Sequence, residues 1–164
     1  MRSLKTMVVG LAVCATLSAL VLAQGAATIS ATESATLKQI YEKEMQNYQG
    51  FALLPGTTKL MDKLDGPHSG YITVYVNEIA RKAIESDAKT IPDGGLIIKD
   101  IYNAEHKHHS CAVMKKIAGE WHFGGFYPLY QPYKFGKDAG SSAKSCVDCH
   151  AHATRDKVYL WRSK

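Results

Sequence analysis

The chain has 164 residues, a formal net charge of +5, 46% hydrophobic and 21% charged residues. This is the composition of a folded globule and excludes a disordered chain. The charges alternate in sign along the sequence, which leaves no basic stripe for nucleic acid and no polybasic anchor for a membrane surface.

Arg2 and Lys5 precede an uncharged run, 7–23, rich in Val, Leu and Ala. A positive stub, an apolar run and small residues after it describe a secretory signal peptide. The run falls short of the ~20 apolar residues of a spanning helix. Val21-Leu22-Ala23 satisfies the small-residue rule, so cleavage is expected after Ala23, with Ala27 as the alternative. Leu11-Ala12-Val13-Cys14 departs from a lipoprotein signal, because Val13 is unsuited before the cysteine and the apolar run continues past it. Loss of residues 1–23 leaves one domain, 24–164, whose net charge falls to +3 with the departure of Arg2 and Lys5. The expected location is the periplasm.

Residues 24–35 are small and polar and are expected to fray. Leu37, Ile40, Tyr41, Met45 and Tyr48 recur at helical spacing and predict an amphipathic helix over 36–48. Pro55-Gly56 and the cluster 66–70 are breaks. The β-branched and aromatic run 71–76 predicts a strand. Asn77 then caps a helix over 78–86 with Ile79, Ala80, Ala83 and Ile84 on one side. Pro92-Asp93-Gly94-Gly95 turns the chain into a strand over 96–102. A polar connection, 103–109, leads to further strands over 110–117 and 121–127, and 128–145 is expected to be a long loop. Four strands with helices toward the chain ends predict an α+β fold, a small antiparallel β-sheet with flanking helices.

Of four cysteines, Cys14 leaves with the signal, and Cys111, Cys146 and Cys149 remain. An odd number cannot all pair within one exported chain. Cys146-Val147-Asp148-Cys149-His150 is a C-x-x-C-H sequence, the c-type haem attachment pattern. The motif is expected on a C-terminal haem-attachment helix, where positions i, i+3 and i+4 share one face. Both thiols then reach the vinyl edge of one porphyrin while His150 points at the iron, giving one covalent haem c with His150 as metal ligand. A redox disulfide would want a βαβ setting, and a zinc site would want a second ligand pair at matching spacing; neither accompanies the motif.

No methionine follows His150, and Met45, Met61 and Met114 are read as gap-filling core residues. An iron without a second axial side chain is five-coordinate and open to small ligands. A C-terminal motif also occurs in four-helix cytochromes c′, but the short, β-rich runs 71–76 and 96–102 do not supply four long helices.

The chain resembles the cytochrome P460 family, which includes the cytochromes c′-β. The resemblance runs from about Asn47 to the C-terminus. It is carried by Ile72-Thr73-Val74-Tyr75-Val76, by Pro92-Asp93-Gly94 followed by the strand to Lys99-Asp100, by Trp121-His122-Phe123, by the haem motif and by Asp156-Lys157-Val158-Tyr159. It implies a small antiparallel sheet with helices, a homodimer and an open haem. In one branch the haem bears an extra bond from a lysine and oxidises hydroxylamine, passing electrons to a partner cytochrome. The other branch binds nitric oxide in an apolar pocket, and a simple electron carrier is the remaining alternative.

Lys99 stands where the family places its cross-linking lysine. Alternation puts it on the strand face of Ile97 and Ile101, with an exit to solvent at the sheet edge as the competing reading. Where the hydroxylamine-oxidising branch has a first-strand arginine, this chain has Ile72, and no acid occurs near 111–113. Ile72 and Lys99 are therefore expected to flank the cofactor and set the branch.

His106, His108 and His109 form a dense cluster, expected as a solvated loop, with a metal site as the alternative. His152 is expected to face away from the iron. Cys111 is expected to be a buried strand thiol, with an intermolecular disulfide as the alternative. Phe51, Phe123 and Phe126 are core candidates, any of which would suit the roof of a haem pocket.

Overall fold

A computed structural model describes residues 31–63, 70–127, 131–136, 140–153 and 155–160. The expected signal segment, Cys14 and most of the 66–70 turn lie outside the described residues.

The fold is α+β. Helix α1, Ala31–Glu44, is followed by a 3₁₀ turn, Tyr48–Gly50, and two short strands, β1 (Ala52–Leu53) and β2 (Met61–Lys63). Then come β3 (Gly70–Val76), α2 (Glu78–Glu85), β4 (Leu96–Tyr102), β5 (His108–Ile117), β6 (Glu120–Tyr127), β7 (Gln131–Gly136) and α3 (Gly140–Ala151). The strands form one antiparallel sheet in the order β1-β3-β4-β5-β6-β7. The remaining strand, β2, pairs with β3 at Ile72 to Gly70, on the edge whose other end β1 occupies at Val76 and Tyr75.

Both faces of the sheet are covered. Leu37 and Ile40 of α1, with Met45, pack on Tyr75, Leu96, Ile98, Cys111, Val113 and Phe126. On the opposite face Ala80, Ala83 and Ile84 of α2 pack with Ile72, Val74, Val76, Ile97, Met114, Trp121 and Phe123, and Cys146 and Val147 of α3 join from the edge. The run Ile72 to Val76 is buried throughout for this reason: a strand covered on two faces reads as a near-continuous apolar run, and its polar member, Thr73, accepts the Leu60 N–H at 3.0 Å. Asn77 caps α2 as expected, accepting the Ala80 N–H at 3.0 Å. Gly94 takes up the left-handed conformation in the 92–95 turn, at φ +86°.

Three expectations needed correction. The first helix begins at Ala31 rather than at residue 36 and ends at Glu44, so part of the segment expected to fray is helical. Alanine at 31 and 35 and Glu33 in the first turn favour the earlier start. The four expected strands are joined by β1, β2 and β7. The expected loop 128–145 contains β7 and the first turns of α3. Strand β7 tolerates Pro132 because it lies at the end of the strand order, and Pro132 pairs with Phe126 beside a register irregularity.

Candidate functional site

The attachment motif lies in the last two turns of α3, with Cys146 and His150 turned toward the sheet. They border an apolar cleft, whose other walls are Ile97 and Lys99 of β4, Ala112, Val113 and Met114 of β5, and Phe123 and Gly124 of β6. The Phe123 and His150 rings are 5.1 Å apart between centroids. Cys149 is exposed, with its Sγ 4.0 Å from the Tyr159 hydroxyl. That hydroxyl donates to the Cys149 carbonyl at 2.6 Å, and the Tyr159 ring lies 5.4 Å from that of His150.

The floor of the cleft follows from the strand register. Across the sheet Val74 is opposite Lys99, Lys99 is opposite Ala112 and Ala112 is opposite Gly125. The neighbouring row is bulkier: Val76, Ile97, Met114 and Phe123. On its β5 side Lys99 therefore stands beside positions with little or no side chain, Ala112 and Gly125, which leaves the sheet surface low there. Glycines inside a strand mark such close approaches, and Gly124-Gly125 was the sequence signal available for it.

Behind the helix, His150 Nδ1 lies 2.7 Å from the Lys157 carbonyl. A carbonyl only accepts, so Nδ1 carries the proton and Nε2 presents its lone pair. Burial holds the His150 pKa below the ordinary imidazole value; the Lys157 carbonyl opposes this and the Lys99 ammonium adds to it. The imidazole is thus neutral at pH 7, the form that ligates a metal.

The Lys157 carbonyl is offered by a tight turn closed by the Val158 N–H donating to the Arg155 carbonyl at 2.7 Å. Asp156 and Lys157 occupy its left-handed positions, at φ +42° and +61°. For non-glycine residues this costs about 1–2 kcal/mol each, so the turn must be held by its surroundings. Arg155 donates to the carbonyls of Ala88, Ile84 and Ala83 at the end of α2, at 2.9, 3.2 and 3.1 Å. Asp156 accepts the Ile91 N–H at 2.8 Å and pairs with Lys116 at 2.9 Å.

The family profile described as Cytochrome P460 matches residues 46–160. The chain belongs to the cytochrome P460 family. No curated protein matches it significantly. Family membership implies a haem cofactor and iron binding, and the residues present fit that group. The cleft has apolar walls and a low floor, a thiol borders it, and the one imidazole on its wall has Nδ1 satisfied and Nε2 left for the iron.

Of the residues singled out by sequence, the structure brings Cys146, His150 and Lys99 to one cleft. Cys149 lies one turn away on the exposed side. Ile72 shares the sheet face but lies among the core residues, fully buried between Met61 and Ile101, and is not one of the cleft-lining residues. Met114, read from sequence as core, is both core and cleft wall. Phe123 is likewise a wall residue, whereas Phe126 packs on the opposite face and Phe51 is half-buried against that core.

The histidine cluster is divided among separate partners. His106 stacks edge-on against Tyr71, His109 against Tyr127, and His108 Nε2 lies 3.3 Å from Asp100 Oδ1. Among the described residues no group of three His, Cys, Asp or Glu is arranged for a metal ion. His152 is exposed, and Cys111 is a buried strand thiol whose pKa is pushed up by burial and then by Asp100.

Asp100, completely buried on the face away from the cleft, accepts from Tyr48 at 2.7 Å, Tyr102 at 3.2 Å and Gln49 at 3.3 Å. Burial raises its pKa, but the hydrogen bonds from His108, Tyr48 and Gln49 outweigh it and leave the carboxyl below its ordinary value. The hydrogen bond to Asp100 raises the His108 pKa against burial. A raised histidine pKa gives stability that is full below the unfolded value of about 6.5 and is lost as pH rises through the folded one. The depressed Asp100 acts in the other sense, keeping its contribution above about pH 4 and losing it in acid. Thermal unfolding at about pH 5.5 and pH 8.5 is expected to show a smaller loss at the higher pH in His108→Gln than in the parent. Equal losses would remove this pair from the pH dependence.

Proposed function

We propose that the protein is an exported cytochrome with one haem bound covalently through Cys146 and Cys149 and ligated by His150. In this reading it oxidises hydroxylamine, or a related small nitrogen species, and passes electrons to a partner cytochrome in the periplasm. Bound haem would supply an iron centre that takes the nitrogen ligand and accepts its electrons. The observation that carries the reading is Lys99 on the cleft wall beside the attachment motif. Among the described cleft-lining residues outside that motif, Lys99 is the only ionisable one, and its role is indirect: a bond from it to the porphyrin would alter the electronics of the macrocycle. It stands in the place of the family's cross-linking lysine. Phe123, Met114 and Ile97 exclude water around it, and Val74 and Ala112 adjoin it in register without offering a hydrogen bond to a ligand. Ile72 extends that apolar face one step further. A homodimer is part of the proposal, carried by family resemblance.

A second reading, nitric-oxide binding without turnover, is favoured by the absence of any acid among the described cleft-lining residues. Nitric oxide binds without proton transfer, whereas hydroxylamine must shed protons as it is oxidised.

Both readings require an open iron. Electron paramagnetic resonance of the ferric protein is expected to show a high-spin, five-coordinate signal. A purely low-spin signal would place Met114 or Lys99, both on the cleft wall, in the sixth position and make the protein an electron carrier. With an open site, hydroxylamine-dependent reduction of an added cytochrome separates the first reading from the second.

A further inference from the structure

The turn that faces His150 is held from strand β5 by Lys116. Lys116 of β5 is 9% exposed at its side chain and Asp156 is 11% exposed. The Lys116 ammonium contacts both oxygens of Asp156, at 2.9 and 3.2 Å, and lies 5.2 Å from the centre of the Trp121 ring. Asp156 Oδ2 also accepts the Ile91 N–H. Removing one partner of a pair this buried leaves the other uncompensated, so the contact is a firm one.

We propose that the Lys116–Asp156 ion pair is a positioning device for the haem ligand. It holds residues 155–158 in their left-handed turn, keeps the Lys157 carbonyl on His150 Nδ1, and so sets how strongly Nε2 donates to the iron. The physical chain is short. Asp156 and Lys157 sit where non-glycine backbone is strained, and a turn released from Lys116 relaxes toward ordinary conformations. The Lys157 carbonyl moves with it, being the next residue. A hydrogen bond from the free ring N–H raises the basicity of a ligating imidazole, and such partners tune the metal. Lys116 and Asp156 are positioning residues: neither lines the cleft. Arg155, tied to the end of α2, anchors the start of the same turn.

This inference rests on His150 being the haem ligand. The test uses the holoprotein, comparing the parent with Lys116→Met, Asp156→Asn and Lys116→Arg. The readouts are the ferrous iron–histidine stretching frequency and the reduction potential. Lys116→Met and Asp156→Asn are expected to lower the frequency and raise the potential, because a weaker hydrogen bond leaves a weaker axial donor. Lys116→Arg, which keeps the charge pair, is expected to stay close to the parent. Parent-like values in Lys116→Met and Asp156→Asn would overturn the proposal. Exchange of the His150 Nδ1 proton in the cyanide-bound parent covers the case in which the variants do not fold. It should be slower than in an unconstrained haem-bound histidine by about tenfold, the scale of one ordinary hydrogen bond; equal rates would overturn the proposal. A parent that carries no haem, or no iron–histidine band, would instead overturn the assignment of His150 itself.

Discussion

Replacing Cys146 and Cys149 together by serine is expected to leave the protein without covalent haem, if the proposed attachment holds. A thioether bond needs a thiol to add to each vinyl group, and a serine hydroxyl does not substitute for it. What would remain is the proposed coordinate bond from His150 and the apolar contacts of Ile97, Met114 and Phe123 along the cleft. Haem held that way leaves on denaturation, so haem staining after denaturing electrophoresis should fall to background. The two cysteines should not contribute alike when changed singly. Cys146 borders the cleft, whereas Cys149 stands in solvent beside Tyr159. Cys149→Ser is expected to retain haem through one bond, and Cys146→Ser to lose more of it. Undiminished covalent haem in the double variant would sink the attachment assignment.

Lys99→Leu carries the next largest effect. Leucine fits the half-buried position between Val74 and Ala112, and the cleft around it is already apolar. Folding and haem attachment should therefore survive. Two properties should not: any red-shifted Soret band produced by a lysine-to-porphyrin bond, and oxidation of hydroxylamine. Such a bond distorts the macrocycle and alters its electronics, a lever on haem reactivity, so hydroxylamine turnover should fall to background while nitric oxide still binds. Hydroxylamine turnover unchanged in Lys99→Leu would show that the role carried over from the family does not apply at this position. Ile72 offers no equivalent lever, because an arginine there would enter a fully buried core position instead of the cleft wall.

The parts legible in the sequence were those with strong local periodicity or fixed spacing. Strands β3 and β4 are apolar runs bounded by turn residues, β5 and β6 flank the Ala118-Gly119 turn, and α2 has a capping asparagine and one apolar side. Strands β1 and β2 span two and three residues, too short for any pattern, and are made by the free edge of β3. Pro132 masked β7. At the site, C-x-x-C-H and the alternation around Lys99 were sufficient to place the helix and the opposing wall. The proximal partner of His150 was not legible, since it is a backbone carbonyl whose position depends on Lys116, 40 residues away in sequence from Asp156. The double role of Met114 was equally hidden, because core and cleft share one sheet face.

The mass of the intact protein recovered from the periplasm, taken under denaturing conditions, tests the haem assignment most directly. The expected species is a polypeptide beginning at Gln24 that carries one haem through denaturation. A bare polypeptide, or one that retains residues 1–23, would contradict it.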